Sequence, residues 1–438
     1  MIPLAWEEVA ALRLGRLQGA PPGAVVQRVH ADSRLARPGD LFVALNTGVR
    51  YVEEALARGA ATLVPDDQHA ALAALARLVR ARSSARVVAV VGSVGKTTTK
   101  DALGALCAAV VPTVSADASQ NNEIGLPLTV LRLEPETQVL VTEMGMRGLG
   151  QIAELCSVAQ PHLAVVTAIG PEHLELVGTV ADVARANAEA IGALPAGGTA
   201  VVPEDAPELE PYLRRGDLDI RRFAARDVRA RVPGTRARTP AARWRFRVGG
   251  QDVELDLPFT QRHLAVNVLA ALTAYDALGL PLARAPEGTA RIRLSRWRGE
   301  VTELADGGFV VNDAYNANPL SMRAALLDLV ERAGMRRRVA ILGEMAELGA
   351  ASAGYHAEIG ALLAGLPLDV LVAVGEGARA YLEPGVAEMH WIPDAASFAE
   401  VAGVVRPGDA VLVKASRAVG LEGIPAQIEK IAAAWSAS

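Results

Sequence analysis

The chain has 438 residues, of which 51% are hydrophobic and 21% are charged, and its formal net charge is −5. This length exceeds one ordinary hydrophobic core and predicts two or three domains. The negative charge argues against a general nucleic-acid-binding protein, and no uncharged stretch is long enough to predict membrane insertion. Two cysteines without metal-ligand spacing, Cys107 and Cys156, are expected to be reduced packing residues of a cytoplasmic protein.

Residues 1–84 are predicted to form a small α/β unit that ends at a joint in Ser83-Ser84. The apolar run 41–45 is typical of a buried strand, and the alanine-rich run at about 69–82 is typical of a helix.

Residues 88–98 combine an apolar strand pattern with a glycine-rich turn that ends in Gly95-Lys96-Thr97. Gly92 and Gly95 permit a tight turn whose N–H groups point at phosphate oxygens, and the following helix offers its positive end. Lys96 has the reach to contact the β- and γ-phosphates, and Thr97 is suited to hold Mg²⁺. The longer Walker pattern would need glycine where Val90 stands, so the motif is the shorter form. The sequence therefore predicts a binding site for a nucleoside triphosphate.

Only four of the 44 basic residues are lysines. Lys96 belongs to the phosphate loop, and Lys414 follows an apolar run in the last part of the chain. Lys100 and Lys430 are interpreted as surface residues.

Further apolar runs at 138–142 and 163–169 alternate with helical segments and predict a parallel sheet covered by helices. Since ligands bind at the carboxyl ends of such strands, Glu143 is predicted to hold Mg²⁺ and His173 to be a second metal ligand. Asn121 and Asn122 lie in a polar loop suited to grip a substrate near the phosphates.

The segment 221–247 is rich in arginine and is interpreted as a solvated loop and edge strand rather than a polyanion site. Alternating apolar residues at 243–258, interrupted by Gly249-Gly250, predict an antiparallel hairpin, and a helix is predicted over 263–278.

A third α/β unit is predicted from near Gly299, with strands at 308–312, 338–342, 369–374 and 410–414. Two strand ends in this unit carry polar sequences. One offers a carboxylate and amides, and the other offers cations: Asp313-Ala-Tyr315-Asn316-Ala-Asn318 and Lys414-Ala-Ser416-Arg417.

Taken together, these positions resemble the Mur ligase family, and within it the MurF type. The matching segments run through the whole chain: Asp32-Ser33-Arg34, Pro38 to Leu45, Gly92 to Lys100, Asn121 to Leu131, Glu143 to Met146, His173 to Glu175, His263, Asn267, Arg298, Asp313 to Pro319, Gly343 to Gly349, His356 and Val413 to Arg417.

The resemblance implies three domains: a UDP-substrate-binding α/β domain at 1–84, a central P-loop ATPase domain with a mostly parallel sheet at 85–298, and a Rossmann-like ligase domain at 299–438. It implies a monomeric, ATP- and Mg²⁺-dependent amide ligase of peptidoglycan precursor synthesis, and hence a role in cell wall biogenesis, cell shape and cell division. The substrates would be UDP-N-acetylmuramoyl-tripeptide and D-alanyl-D-alanine, joined through an acyl phosphate, with lysine and diaminopimelate both open as the third residue of the tripeptide.

The same resemblance assigns a role to each matching residue. The catalytic set would be Lys96, Glu143, His173, Lys414 and Arg417, with Thr97, Glu143 and His173 at the metal. The nucleotide would contact Gly92, Ser93, Gly95, Lys96, Thr97, Thr98, Asn267, Arg298, Asp313, Tyr315 and Asn316. The substrates would contact Asp32, Ser33, Arg34, Asn121, Asn122, Asn318 and Ser416.

Two positions depart from the family pattern. Asn187 stands where Mur ligases typically carry a carbamylated lysine that helps hold a second Mg²⁺, and no lysine lies between Lys100 and Lys414. An amide is a weaker ligand for this cation than an anion, so the second site is expected to be weak unless Glu172, Glu189 or water compensates. The loop after Leu45 also lacks a segment usual in the family, which bears on the uridine pocket.

Two other functions stay open at this point. The loop after Leu45 is compatible with a Mur-like amide ligase that acts on a different acid and amine, and Asn187 is compatible with a nucleotide-binding pseudoenzyme scaffold. The phosphoryl-transfer residues argue against the scaffold, since it would not need them, and the third unit argues against a simple P-loop kinase or GTPase.

Overall fold

The computed structural model describes residues 1–231, 242–382 and 385–435. Its first part contains a two-stranded antiparallel pair, β1 with β3, and a mixed four-stranded sheet in the order β2-β6-β5-β4. The strands are β1 Leu4–Ala5, β2 Gly15–Gln18, β3 Val25–Val26, β4 Arg28–His30, β5 Asp40–Val43 and β6 Ala61–Pro65. The helices are α1 Trp6–Ala11, α2 Val52–Ala57 and α3 Gln68–Arg80.

The second sheet has six parallel strands in the order β12-β11-β10-β7-β9-β8. They are β7 Arg86–Val91, β8 Thr113–Ser115, β9 Val139–Glu143, β10 Leu163–Val166, β11 Thr199–Pro203 and β12 Asp219–Phe223. The helices are α4 Lys96–Ala108, α5 Gly125–Val130, α6 Gln151–Ala159, α7 Leu174–Val177 and α8 Val180–Gly192. Residues 87–91 are fully buried because β7 lies inside the sheet. The strand order reverses at β7, where open parallel sheets bind ligands.

An antiparallel sheet follows, in the order β13-β14-β15. Its elements are β13 Val228–Arg231, β14 Ala242–Val248 and β15 Gln251–Leu257, followed by helix α9 Arg262–Ala277. The hairpin and the helix are confirmed. In the arginine-rich segment, β12 and β13 are edge strands, as predicted, but β14 is a central strand. Residues 232–241 of this segment lie outside the described residues.

The last sheet has the order β16-β17-β21-β18-β19-β20 and is parallel except for the β16–β17 pair. Its strands are β16 Glu300–Glu303, β17 Phe309–Asp313, β18 Arg338–Gly343, β19 Val370–Val374, β20 Glu388–Ile392 and β21 Ala410–Lys414. The helices are α10 Pro319–Ala333, α11 Ser352–Ala364, α12 Phe398–Val401 and α13 Ile424–Trp435. The predicted α/β fold class, with its parallel central sheet, is confirmed.

Two details differ from the sequence-based predictions. The strand predicted over 163–169 ends at Val166, and the hydroxyl of the next residue, Thr167, lies within hydrogen-bond distance of the backbone oxygens of Val91 and Val94. The interpretation of Lys100 as a surface residue is wrong, since its side chain is fully buried, whereas Lys430 is exposed as predicted. Within the described residues, no helix combines the length and apolarity needed to cross a membrane.

His162 makes folding stability dependent on pH. Its Nδ1 atom accepts a hydrogen bond from the Val87 N–H at 3.1 Å, which requires that atom to be unprotonated. Burial, assisted by Arg80 and Arg86, lowers the pKa of His162. The unfolded chain therefore takes up a proton near its ordinary pKa of about 6.5 that the folded chain refuses, so stability falls as pH drops below that value. We expect the melting temperature of His162→Asn to change less than that of the unaltered protein between about pH 7.5 and about pH 5.5. An equal change in both proteins would contradict this assignment.

Candidate active site

The carboxyl ends of the second and last sheets face one cleft of about 970 Å³. The cleft brings together most of the residues that the sequence singled out: Ser93, Gly95, Lys96, Thr97, Thr98, Asn121, Asn122, Glu143, His173, His263, Asn267, Arg298, Asp313, Tyr315, Asn316, Asn318, Lys414, Ser416 and Arg417. Asp32, Ser33 and Arg34 lie in the N-terminal part and do not line it. In that part, Arg34 forms an ion pair with Asp32 and lowers the pKa of the carboxyl to about 2.

Close packing explains both glycines of the phosphate loop. Gly92 has a φ of +127°, and a side chain there would place Cβ 2.3 Å from the Thr167 hydroxyl. Gly95 has a φ of +83°, and its Cβ would lie 2.3 Å from Asn267 Oδ1. Helix α4 begins at the next residue, so its free N–H groups point into the cleft where a phosphate would bind.

Lys96 is held by a carboxylate as well as by the loop. Its ammonium donates to the Gly92 carbonyl and to Glu172 Oε1, the latter at 2.9 Å. The Lys96 and Glu172 side chains are only 15% and 8% exposed. Incoming phosphate oxygens would compete with Glu172 for this ammonium group.

Two oxygen atoms of the predicted metal ligands are buried without a hydrogen-bond partner in the described structure. They are Thr97 Oγ1 and Glu143 Oε2. The other oxygen of Glu143 accepts from Asn121 Nδ2 at 2.8 Å, which fixes the carboxylate. Hydroxyl and carboxylate oxygens suit Mg²⁺, which takes few protein ligands and completes its shell with phosphates and water. These two residues therefore fit the cation that the resemblance implies.

His173 lies between two carboxylates from different parts of the chain. Its Nε2 atom is 3.6 Å from Glu172 Oε1, and its Nδ1 atom is 2.5 Å from Glu347 Oε2. The second contact is close but lacks hydrogen-bond geometry. The backbone N–H of Glu175 also donates to the Glu347 carbonyl at 3.2 Å. Among the described residues, no group of three or more His, Cys, Asp or Glu side chains is arranged to hold a metal ion.

The side chains of Asn187 and Glu189 hydrogen-bond to backbone groups of α8 and of the start of α6. The buried Asn187 side chain donates to the Val183 carbonyl of its own helix at 2.9 Å. Glu189 accepts from the N–H groups of Gly150 and Ala153, at the start of α6. Compensation for Asn187 by Glu172, Glu189 or water stays a prediction, and the carboxylates in contact with the His173 ring are those of Glu172 and Glu347.

The cations of the last sheet differ in how they are paired. Lys414 is buried at the end of β21 and donates to Asp313 Oδ2 at 2.6 Å and to the Asn316 carbonyl at 2.9 Å. Arg417 is about half exposed, with its guanidinium 4.1 Å from the centre of the Trp297 ring. Its contact with Glu422 is longer, at 3.5 Å. Arg417 is thus the more available charge in the cleft.

Arg298 and Tyr315 stack and connect the two sheets. The guanidinium of Arg298 lies 4.0 Å from the centre of the Tyr315 ring. The Tyr315 hydroxyl is 3.0 Å from Ser119 Oγ, which precedes Asn121 in the loop after β8.

Several predicted substrate contacts also stabilise local structure. Asn318 Oδ1 caps α10 by accepting from the Ser321 N–H, and Asn122 Oδ1 accepts from the N–H of Gly125, the first residue of α5. The buried Ser416 hydroxyl donates to the Ala317 carbonyl and accepts from the Ala346 N–H. These side chains hold the loops around the cleft.

Sequence reasoning gave no site role to Glu347, Trp297 or Ser119. Glu347 lies in a segment that carried the resemblance, and nothing local in that segment indicates its approach to His173. Trp297 and Ser119 would have required knowledge of their partners on distant segments.

Known proteins match nearly the whole length of the chain. The profile of the Mur ligase middle domain matches residues 90–275, and that of the Mur ligase, glutamate ligase domain matches residues 297–417. The UDP-N-acetylmuramoyl-tripeptide--D-alanyl-D-alanine ligase of Escherichia coli (strain K12) is 31% identical over 449 residues, covering 97% of this chain and 98% of that protein. The chain belongs to the Mur ligase family, in its MurF branch.

Other MurF relatives agree in sequence and in fold. The ligase of the same name from Mycobacterium tuberculosis (strain H37Rv) is 32% identical and covers 97% of each chain. A crystal structure of MurF from Acinetobacter baumannii aligns with a TM-score of 0.84 at 29% identity, covering 98% of this chain and 99% of that one. MurF ligase from Thermotoga maritima in complex with ADP aligns with a TM-score of 0.80 at 27% identity, covering 94% and 99%.

Proposed function

We propose that this Mur ligase joins D-alanyl-D-alanine to UDP-N-acetylmuramoyl-tripeptide with the hydrolysis of ATP to ADP and phosphate. The observation that carries the proposal is the shared cleft, which places a phosphate loop opposite the polar strand ends of the last sheet. The names of its full-length relatives support the substrate pair, and the ADP complex of the Thermotoga maritima enzyme supports the nucleotide.

In the first step, a carboxylate oxygen of the tripeptide bonds to the γ-phosphorus, and the bond from that phosphorus to the β–γ bridging oxygen breaks. This gives an acyl phosphate and ADP. The acyl carbon then carries phosphate as its leaving group, in place of the oxide that a free carboxylate would have to expel. The carboxylate and the triphosphate repel each other, so positive groups must offset the charge. Lys96 and the N-terminal amides of α4 are placed for this role.

We assign Thr97 and Glu143 to Mg²⁺, with His173 as a second metal ligand. When bound, Mg²⁺ would neutralise phosphate charge and align the β- and γ-phosphates. The unpaired oxygens of Thr97 and Glu143 support this assignment.

In the second step, the amine nitrogen of D-alanyl-D-alanine bonds to the acyl carbon and loses a proton. The tetrahedral intermediate then expels phosphate. Arg417 is suited to offset negative charge on the phosphate, because it is the cation in this region with the weaker pairing. Lys414 is a better candidate for ordering Asp313 and Asn316.

We propose that the three predicted domains, 1–84, 85–298 and 299–438, divide these tasks as the family resemblance implies. The Asp32-Ser33-Arg34 segment would bind the UDP part, and its separation from the cleft fits a long, nucleotide-linked substrate. The active unit would be a monomer. A cytoplasmic location and a role in cell shape and division follow from synthesis of a peptidoglycan precursor.

The test is phosphate release with ATP, UDP-N-acetylmuramoyl-tripeptide and D-alanyl-D-alanine, with each component omitted in turn. We expect stoichiometric phosphate and pentapeptide product only when all three are present, for the lysine or the diaminopimelate form of the tripeptide. Turnover only with another acid or amine would favour the Mur-like alternative. Nucleotide binding without turnover would favour the scaffold.

Asn187 leads to a prediction about carbon dioxide. No lysine is present there to carry a carbamate, so we expect the same Mg²⁺ dependence and rate in CO₂-free buffer and with added bicarbonate. Asn187→Lys should acquire a bicarbonate response if its amine reaches the metal region. Asn187→Arg adds a cation that cannot form the carbamate and is the matched control. A strong bicarbonate response of the natural protein would overturn this interpretation.

A further inference from the structure

A buried lysine outside the cleft has no part in the proposed chemistry. Lys100 follows the phosphate loop by one helical turn, and its side chain is 1% exposed. Burial of an ammonium group is unfavourable unless the charge is paired and every N–H donor is used. This chain has four lysines and otherwise uses arginine as its basic residue, so a buried lysine calls for a functional explanation.

Three oxygen atoms surround the Lys100 ammonium group. It donates to the Ala116 carbonyl at 2.8 Å and to the Ala118 carbonyl at 3.0 Å. Asp101 Oδ1 lies 2.5 Å away and supplies the opposite charge. The two carbonyls accept hydrogen bonds from two of the three N–H donors of the ammonium group, and Asp101 balances its charge.

Both carbonyls belong to the loop formed by residues 116–122. Since Lys100 lies on α4, the helix that follows the phosphate loop, its hydrogen bonds connect the 116–122 loop to that helix. Ala118 has a φ of +46°, an unfavourable backbone conformation for a residue with a side chain. Such a conformation persists when surrounding contacts enforce it. The loop is also held from outside by an exposed pair between Arg132 and Asp117.

Two of the side chains that the 116–122 loop presents to the cleft make contacts beyond the loop. Asn121 donates to Glu143, the proposed metal ligand, and its carbonyl accepts from the Gly145 N–H at 2.8 Å. Ser119 contacts Tyr315 on the last sheet. A displaced loop would therefore alter the setting of Glu143 and one connection across the cleft together.

Asp101, the charge partner of Lys100, contacts a second segment near the cleft, residues 295–298. Asp101 Oδ2 accepts from Ser295 Oγ at 2.9 Å. Ser295 lies two residues before Trp297 and three before Arg298, which both line the cleft.

We propose that Lys100 is a positioning residue for ligation: through the Ala116 and Ala118 carbonyls it holds the 116–122 loop so that Asn121 and Ser119 reach Glu143 and Tyr315. The effect of Lys100 on ligation rests on the proposed function, whereas its effect on the position of the 116–122 loop is independent of that function. A residue that only stabilises the fold would lower the melting temperature and leave the kinetic constants of the folded enzyme unchanged.

The experiment compares Lys100→Met with Lys430→Met, which changes an exposed lysine on α13. Three quantities are measured on folded protein: amide hydrogen exchange of residues 116–122, affinity for ADP, and kcat and KM for ligation. For Lys100→Met we expect loop exchange to rise about tenfold and kcat to fall about 100-fold. The affinity for ADP should stay within about threefold, because the phosphate loop itself is intact. Lys430→Met should match the natural protein in all three.

Unchanged loop exchange in folded Lys100→Met would overturn the proposal. Faster exchange with unchanged kcat and KM would overturn its catalytic part. If Lys100→Met does not fold, Lys100→Gln replaces it, since the amide retains at most two donors and no charge. Loop exchange at the rate of the natural protein in Lys100→Gln would also overturn the proposal. If the natural protein does not ligate these substrates, the proposed function fails while the exchange comparison still tests Lys100.

Discussion

Lys96→Ala should reduce ligation by about 10³-fold, the upper end of what removal of one charge-stabilising donor costs. Lys96 is the side-chain cation at the phosphate loop, and no other lysine lines the cleft on that side. The measurement is kcat/KM for ATP-dependent product formation on a variant whose circular dichroism matches that of the natural protein.

The Lys96–Glu172 pair provides the control for this variant. Alanine at position 96 leaves the poorly exposed Glu172 carboxylate without its cation, so some loss of stability is expected as well. The double variant Lys96→Ala/Glu172→Gln removes that unpaired charge. It should recover melting temperature without recovering turnover. Recovery of ligation in the double variant, or substantial ligation by Lys96→Ala, would contradict the role given to Lys96.

Glu143→Gln should lower kcat by about 100-fold at ordinary Mg²⁺ concentration, with part of the loss reversed by excess Mg²⁺. The substitution keeps the size of the side chain and an oxygen that can accept from Asn121, but it removes the anionic charge. The apparent Mg²⁺ requirement is measured by titration, and Mn²⁺ binding in the presence of ADP is measured by electron paramagnetic resonance.

Glu136→Gln is the matched control, since Glu136 is exposed in the loop before β9 and away from the cleft. Unaltered Mn²⁺ binding by Glu143→Gln would contradict its assignment as a ligand, even if turnover fell.

Much of the site could be predicted because its parts are local. The Gly92-to-Thr97 turn encodes its own geometry, and strand ends such as Asp313 and Lys414 are recognisable from the apolar runs before them. The rule that parallel strands present their carboxyl ends to ligands then brings these positions into one place.

The errors and omissions concern contacts between distant segments. Lys100 reads as an ordinary polar residue of a helix, and its burial depends on the Ala116 and Ala118 carbonyls. The approach of Glu347 to His173 depends on how the last sheet meets the second, and that of Arg417 to Trp297 depends on contacts between segments distant in the chain. No periodicity in the chain carries that information.

The most direct test of the central claim follows oxygen from substrate to product. The tripeptide carboxylate is labelled with ¹⁸O, ligation is run to completion, and the released phosphate is examined by mass spectrometry. If the carboxylate is activated as an acyl phosphate, one labelled oxygen moves to phosphate for each peptide bond formed. Phosphate that contains no label, accompanied by full formation of the product, would contradict the account.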